Sequence, residues 1–157
     1  MKIGIVGAGN IVPDFLEASK NIPDFEIVSI CATENGLERM KNLSQKYGIK
    51  KIYTNYDSFL NDEIDVVYIA IPNNLHYEFA KKAMGKKKNV ILEKPFTSTY
   101  EEAKELVKFA KENKIMLFEA ISNQYLPNYR KTKELISELG DIKIVQLNYS
   151  QYSSRYD

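Results

Sequence analysis

Short apolar runs alternate with amphipathic stretches of helical period along most of the chain, and this alternation constrains the fold more than any other feature. Lys2–Val6, Glu26–Cys31, Asp65–Ile71, Asn89–Leu92 and Ile115–Phe118 read as strands, with a weaker one at Lys51–Tyr53. Leu37, Met40, Leu43 and Tyr47 share one face of a helix that stops at Gly48. His76, Phe79, Ala80, Ala83 and Met84 share another face before Gly85. Ala103, Leu106, Val107 and Ala110 share a third, preceded by the capping-box pattern Thr99-x-x-Glu102. Strands that alternate with helices through short connections pair in parallel. The expected class is therefore α/β, a doubly wound, mostly parallel sheet with helices on both faces.

The pattern changes after residue 121. Tyr129–Leu139 reads as a helix ending at Gly140, and Ile142, Ile144 and Leu147 alternate through Ile142–Tyr149 as a half-buried strand of an antiparallel sheet. One strand cannot bury its own apolar face. Residues 1–121 are thus expected to form one domain, and 122–157 the beginning of a truncated α+β second domain, with Tyr149, Tyr152 and Tyr156 packing against its remainder. The open edge of such a strand invites pairing with another copy, so a homo-oligomer is expected.

Composition removes several classes of function. Twenty-two Lys and Arg against 21 Asp and Glu leave a formal charge of +1, which does not mark a nucleic-acid-binding surface. The lysines of 81–88 gather at a helix C-terminus without interleaved aromatics and read as a solvated helix end. A single cysteine, Cys31, excludes an intramolecular disulfide and a cysteine-based zinc cage, and fits a reducing compartment. No apolar run approaches the ~18 residues of a membrane span, and Met1–Val6 lacks the features of a signal peptide, so a cytoplasmic protein without a membrane partner is expected.

Two places could carry chemistry. Gly7-Ala8-Gly9-Asn10-Ile11-Val12 lies between the first strand and a helix. There the first glycine permits a tight turn, the second lets backbone approach a pyrophosphate, and the helix N-terminus offers free N–H groups. Val12 stands where the fingerprint has its third glycine. At the tip of the second strand, Ala32-Thr33-Glu34 puts an acid one or two residues later than a ribose ligand requires, and Arg39 lies farther into the helix. NAD and NADP both remain open. The second place joins Pro72-Asn73-Asn74-Leu75-His76 and Glu93-Lys94-Pro95, which follow the third and fourth strands and converge on the crevice where open α/β sheets bind ligands. Lys94 there reads either as a donor to a substrate hydroxyl or as half of a surface ion pair. His76 reads as a hydrogen-bonded structural residue or as a ligand contact.

Lys2–Asn10, Ile64–His76 and above all Asn89–Pro95 resemble the N-terminal half of the Gfo/Idh/MocA oxidoreductases, and the similarity extends to Glu119-Ala120 and Leu139-Gly140. The resemblance implies a Rossmann-type domain and NAD(P)-dependent hydride transfer to or from a hydroxyl or keto group of a sugar, polyol or related small molecule. It places Lys94 in a catalytic role. It places Gly7, Gly9, Asn10 and Ile11 at the pyrophosphate, and Asn73 and His76 beside the nicotinamide ribose. Ala32, Thr33, Ile71, Pro72 and Glu93 complete the expected cofactor contacts, and no metal is expected. In that family the general acid–base pair comes from the C-terminal domain, so these 157 residues are expected to bind a dinucleotide without turning over substrate. A non-catalytic module sensing a nicotinamide nucleotide is the alternative.

Overall fold

The computed structural model describes residues 1–150, which fall into two units, Met1–Ile121 and the segment from Ser122 onward. The first unit holds six parallel strands: β1 (Lys2–Val6), β2 (Glu26–Cys31), β3 (Lys51–Tyr53), β4 (Val66–Ile69), β5 (Asn89–Leu92) and β6 (Leu117–Glu119). Their order is β3-β2-β1-β4-β5-β6, so the connections reverse direction between β1 and β4. Register puts Tyr53, Cys31, Val6, Ile69, Leu92 and Glu119 in one row across the sheet. All six strands end on that row, and every following loop emerges along one edge.

The central strands β1, β4 and β5 are largely apolar because both faces are covered. Ile3, Ile5, Ile30, Val66 and Tyr68 meet Val12 and Leu16 of α1 (Val12–Ser19) and Met40 of α2 (Leu37–Tyr47). On the opposite face Val6, Val67, Ile69, Val90 and Leu92 meet Phe59 of α3 (Tyr56–Leu60), Ala80, Ala83 and Met84 of α4 (His76–Gly85), and Leu106 and Ala110 of α5 (Tyr100–Asn113). Each fully buried aliphatic or aromatic side chain contributes roughly 1.5–3 kcal/mol. Two continuous cores therefore hold the row of strand ends fixed.

Helix ends follow local chemistry. Gly48 closes α2 with φ 71°, whereas α4 runs through Gly85, and the left-handed residue there is Lys87 at φ 60°. Lysines on both sides of it are tied down. Lys81 pairs with Glu105, Lys82 with Asp57, and the Lys88 ammonium donates to the carbonyls of Asp62 and Ile64. Both bonds of the capping box at α5 are present, Glu102 N–H to Thr99 Oγ1 and Thr99 N–H to Glu102 Oε2, each at 3.2 Å. Thr99→Ala is expected to lower stability by about 1 kcal/mol in urea titrations, with Thr99→Ser recovering most of it.

Three expected strands differ from those observed. β4 is confined to Val66–Ile69, and Ala70 and Ile71 already belong to the turn above it. β6 starts at Leu117 because Ile115 N–H bonds Ala110 O, finishing the turn after α5, and Met116 N–H bonds the Asn89 side chain. In the second unit α6 (Pro127–Leu135) continues through a 3₁₀ turn at Ile136–Leu139 to Gly140, but Ile142–Tyr149 forms no strand. Ile144 is 80% exposed and Leu147 93%, so their alternation has no neighbour to bury against. Tyr152 and Tyr156 lie outside the described residues. Among the described residues no helix is long and apolar enough to cross a membrane.

Candidate functional site

The loop leaving β1 is fixed by the strands beside it. Gly7 N–H donates to Cys31 O and Ala70 N–H to Val6 O, each at 2.8 Å. This holds Gly7 at φ 109°, with a hypothetical Cβ only 2.0 Å from Ala70 O. No other residue fits there. Gly9 is different: the nearest atom to its hypothetical Cβ is Ala70 O at 4.0 Å, and the position faces a cavity. Among the described residues nothing accepts from the amides of Ala8, Gly9, Asn10 or Ile11. Helix α1 follows at once with no side-chain cap and with Pro13 in its first turn. Uncapped N–H groups at the positive end of a helix form an anion site.

The cavity measures about 590 Å³ and lies over the row of strand ends, where β1 and β4 diverge. This is the volume range and the position at which open α/β sheets bind small molecules. Gly7, Gly9, Ile11 and Ala70 line it beneath the glycine loop. Ala32, Thr33, Asn35, Gly36 and Arg39 line it from the loop after β2 and the start of α2. Ile71, Pro72, Leu75, Glu93 and Lys94 line it from the loops after β4 and β5, and Tyr56 and Phe79 add an aromatic wall. Burial pushes the hydroxyl of Tyr56 above its usual range, and that hydroxyl donates to Phe79 O at 2.9 Å. Cys31 also borders the cavity, its thiol pushed up to about 11 by burial, which keeps it protonated and inert at neutral pH.

The charged groups separate toward the two flanks. Arg39 donates to Asn10 Oδ1 at 2.6 Å, which ties the start of α2 to the glycine loop. Arg39 occupies the third position of α2, where a cation opposes the helix dipole, so helix stability does not account for it. Glu34 sits exposed in the 3₁₀ turn Glu34–Gly36 and does not line the cavity. On the other flank Glu93 and Lys94 do not pair. Glu93 Oε1 accepts from Tyr68 Oη at 2.7 Å, and Oε2 accepts from the backbone amide of Lys94 at 3.2 Å. Burial, together with the Glu93 carboxylate, pushes the Tyr68 hydroxyl far above its usual range and keeps it a donor. Phe15 stacks on the same ring at 3.9 Å. The Lys94 ammonium is left with no carboxylate partner among the described residues.

Two of the expected contacts lie outside the lining of this cavity. His76 is fully buried and does not line the cavity, with Nδ1 2.9 Å from Pro95 O and Nε2 3.0 Å from Ile71 O. Asn73 starts the exposed 3₁₀ turn Asn73–Leu75 and is also absent from the lining. Asn10 takes part only through Arg39. Sequence reasoning missed Tyr56 and Phe79, and it set Arg39 aside as lying too far into the helix. For Arg39 a signal existed, because Gly36 ends the preceding turn and leaves Arg39 in the first turn of α2.

The comparisons agree on one family. The profile of GFO_IDH_MocA, described as an oxidoreductase family with an NAD-binding Rossmann fold, matches residues 1–121. The chain is 34% identical to the scyllo-inositol 2-dehydrogenase (NADP(+)) IolU of Bacillus subtilis, over all of this chain and 48% of the relative. It is 31% identical to the trans-1,2-dihydrobenzene-1,2-diol dehydrogenase of Xenopus tropicalis, over 94% of this chain and 46% of the relative. The chain thus spans about half the length of the curated relatives it matches. Among solved structures it is similar to a 3-ketoreductase from Actinomadura kijaniata in complex with TDP-benzene and NADP. That match has a TM-score of 0.81 at 26% identity and covers 88% of this chain and 43% of that one.

Proposed function

The chain belongs to the Gfo/Idh/MocA oxidoreductase family, and from that premise we propose that it is the dinucleotide-binding part of a cytoplasmic NAD(P)-dependent dehydrogenase. Its substrate would be a hydroxyl- or keto-bearing sugar, polyol or related compound, as the names of its relatives indicate. One observation carries this reading: four unclaimed amides, Ala8 to Ile11, beside a glycine whose missing side chain leaves open space rather than relieving a clash. A plain tight turn explains Gly7 but not Gly9.

The residues present fit a nicotinamide dinucleotide. The amides of Ala8–Ile11 and the start of α1 would hold the pyrophosphate, Thr33, Asn35 and Arg39 the adenosine ribose, and Ile71, Pro72 and Lys94 the nicotinamide half. When bound, such a cofactor supplies a hydride donor or acceptor. The chain's own contribution is positioning and polarisation. Lys94, with its ammonium unpaired, would donate to the reacting oxygen and stabilise negative charge as it develops there. Both oxygens of Glu93 are engaged, so Glu93 is not placed to take a proton. We assign proton transfer to residues outside 1–150 and regard 122–157 as the opening of the domain that supplies them.

Arg39 sets the choice of cofactor. A guanidinium at the ribose flank, with no carboxylate lining that side, favours a 2′-phosphate. NADPH is expected to bind more tightly than NADH. Arg39→Leu should weaken NADPH by about tenfold more than it weakens NADH, a difference of ~1.4 kcal/mol. Fluorescence titration of both reduced cofactors against both proteins tests this. Equal losses for NADPH and NADH would remove Arg39 from the 2′-phosphate, and no binding of either cofactor to the unaltered chain would overturn the proposed function.

A further inference from the structure

The loop carrying Lys94 takes little support from the sheet. After Glu93 N–H, which bonds Ile69 O at 3.0 Å, no backbone group of Lys94, Pro95 or Phe96 pairs with backbone among the described residues. Side chains replace those bonds. Phe96 N–H donates to Glu119 Oε1 at 2.8 Å, and Pro95 O lies 2.9 Å from His76 Nδ1. The other ring nitrogen of His76 lies 3.0 Å from Ile71 O, so one buried ring sits between the loop after β4 and the loop after β5, and its Nδ1–H tautomer donates to Pro95 O. Glu119 ends β6 in register with Leu92, which places its carboxylate beside the same loop.

We propose that His76 and Glu119 are positioning residues that hold the Lys94 loop in its binding geometry, so that the Lys94 ammonium is presented to the nicotinamide half of the cavity. The inference rests on the function proposed above. Its physical basis is preorganisation: a loop ordered in advance does not lose its freedom when the ligand arrives, and a site is accurate only when its supporting shell is fixed. Lys94 is flanked by Glu93, anchored through Ile69 and Tyr68, and by Pro95 and Phe96, anchored through His76 and Glu119. Its ammonium, which has no carboxylate partner among the described residues, is left to meet a ligand. The cavity therefore depends on two polar residues that do not line it.

The test compares two ligands, NADPH and 2′-phospho-ADP-ribose, which lacks the nicotinamide. Glu119→Ala removes the acceptor for Phe96 N–H at a half-buried strand end and is expected to fold. It should weaken NADPH by roughly fivefold and leave 2′-phospho-ADP-ribose unchanged, because the freed loop touches only the nicotinamide half. Glu119→Gln retains an acceptor oxygen at the same reach and should restore unaltered binding. Lys94→Met should show the same selective loss, and the double variant should bind no worse than either single one, since Glu119 acts through Lys94. His76→Leu should behave like Glu119→Ala. If its buried site prevents folding, Glu119→Ala decides. Equal loss of both ligands, unchanged NADPH affinity in Glu119→Ala, or multiplying effects in the double variant would overturn the inference. A cofactor-free readout separates this from failure of the site itself. The Phe96 amide should exchange slowly with solvent in the unaltered chain and faster in Glu119→Ala, and equal exchange in the two would also overturn it.

Discussion

Gly9→Val is expected to lower NADPH affinity by at least roughly a hundredfold, or ~2.7 kcal/mol, while leaving the fold intact. The expectation comes from a separation of roles that the structure makes explicit. A Cβ at Gly9 meets no protein atom nearer than Ala70 O at 4.0 Å, so the folded chain tolerates it. The branched side chain would instead fill the space through which a pyrophosphate reaches the amides of Ala8–Ile11. Fluorescence titration should show the loss, and thermal melting should show a transition within a few degrees of the unaltered chain. Unchanged affinity would remove the glycine loop from the binding site.

Gly7→Ala should do the opposite and act on the fold. Its Cβ would lie 2.0 Å from Ala70 O and 2.8 Å from the Ala70 carbonyl carbon, at a φ of 109° that side chains rarely adopt. Relief requires the ends of β1 and β4 to separate, and these strands lie at the centre of the sheet with both faces buried. Overpacking and backbone strain together should cost about 4 kcal/mol, a large share of the ~5–15 kcal/mol that holds a domain together. Urea denaturation is the measurement, read at the midpoint with an unchanged slope. A loss under about 1 kcal/mol would mean that the turn relaxes far more easily than its two flanking hydrogen bonds indicate. Two glycines two positions apart are thus expected to separate stability from binding.

Much of the fold was legible because burial on both sheet faces writes itself as apolar runs. Lys2–Val6, Glu26–Cys31, Lys51–Tyr53 and Asn89–Leu92 have the limits expected of them. β6 was displaced because Ile115 is apolar for a different reason, packing against the core while its amide closes the turn after α5. Ile142–Tyr149 failed more instructively. Alternation describes a strand only when a neighbour pairs with it, and the described tail offers none.

The site was legible in its glycines and its Glu93-Lys94-Pro95 loop, since both lie where strand ends meet. Distance along the chain misled at Arg39: the 3₁₀ turn at Glu34–Gly36 delays the helix, so a residue eight positions after Cys31 still reaches Asn10. His76 was open between two roles. A polar residue at a helix start can serve a ligand or the backbone, and here both ring nitrogens face carbonyls of the chain itself. No pattern in the sequence reports that difference, because it depends on two loops brought together only by the pairing of β4 with β5.

The central claim is that the crevice over the strand ends binds a nicotinamide dinucleotide, and chemical-shift mapping of backbone amides during an NADP⁺ titration tests it most directly in a chain of 18.1 kDa. The largest shifts are expected at Ala8–Ile11, with further shifts at Thr33–Arg39, at Ile71 and at Lys94, and little change through α5 or beyond Ser122. An absence of saturable shifts, or shifts centred away from the glycine loop, would contradict it.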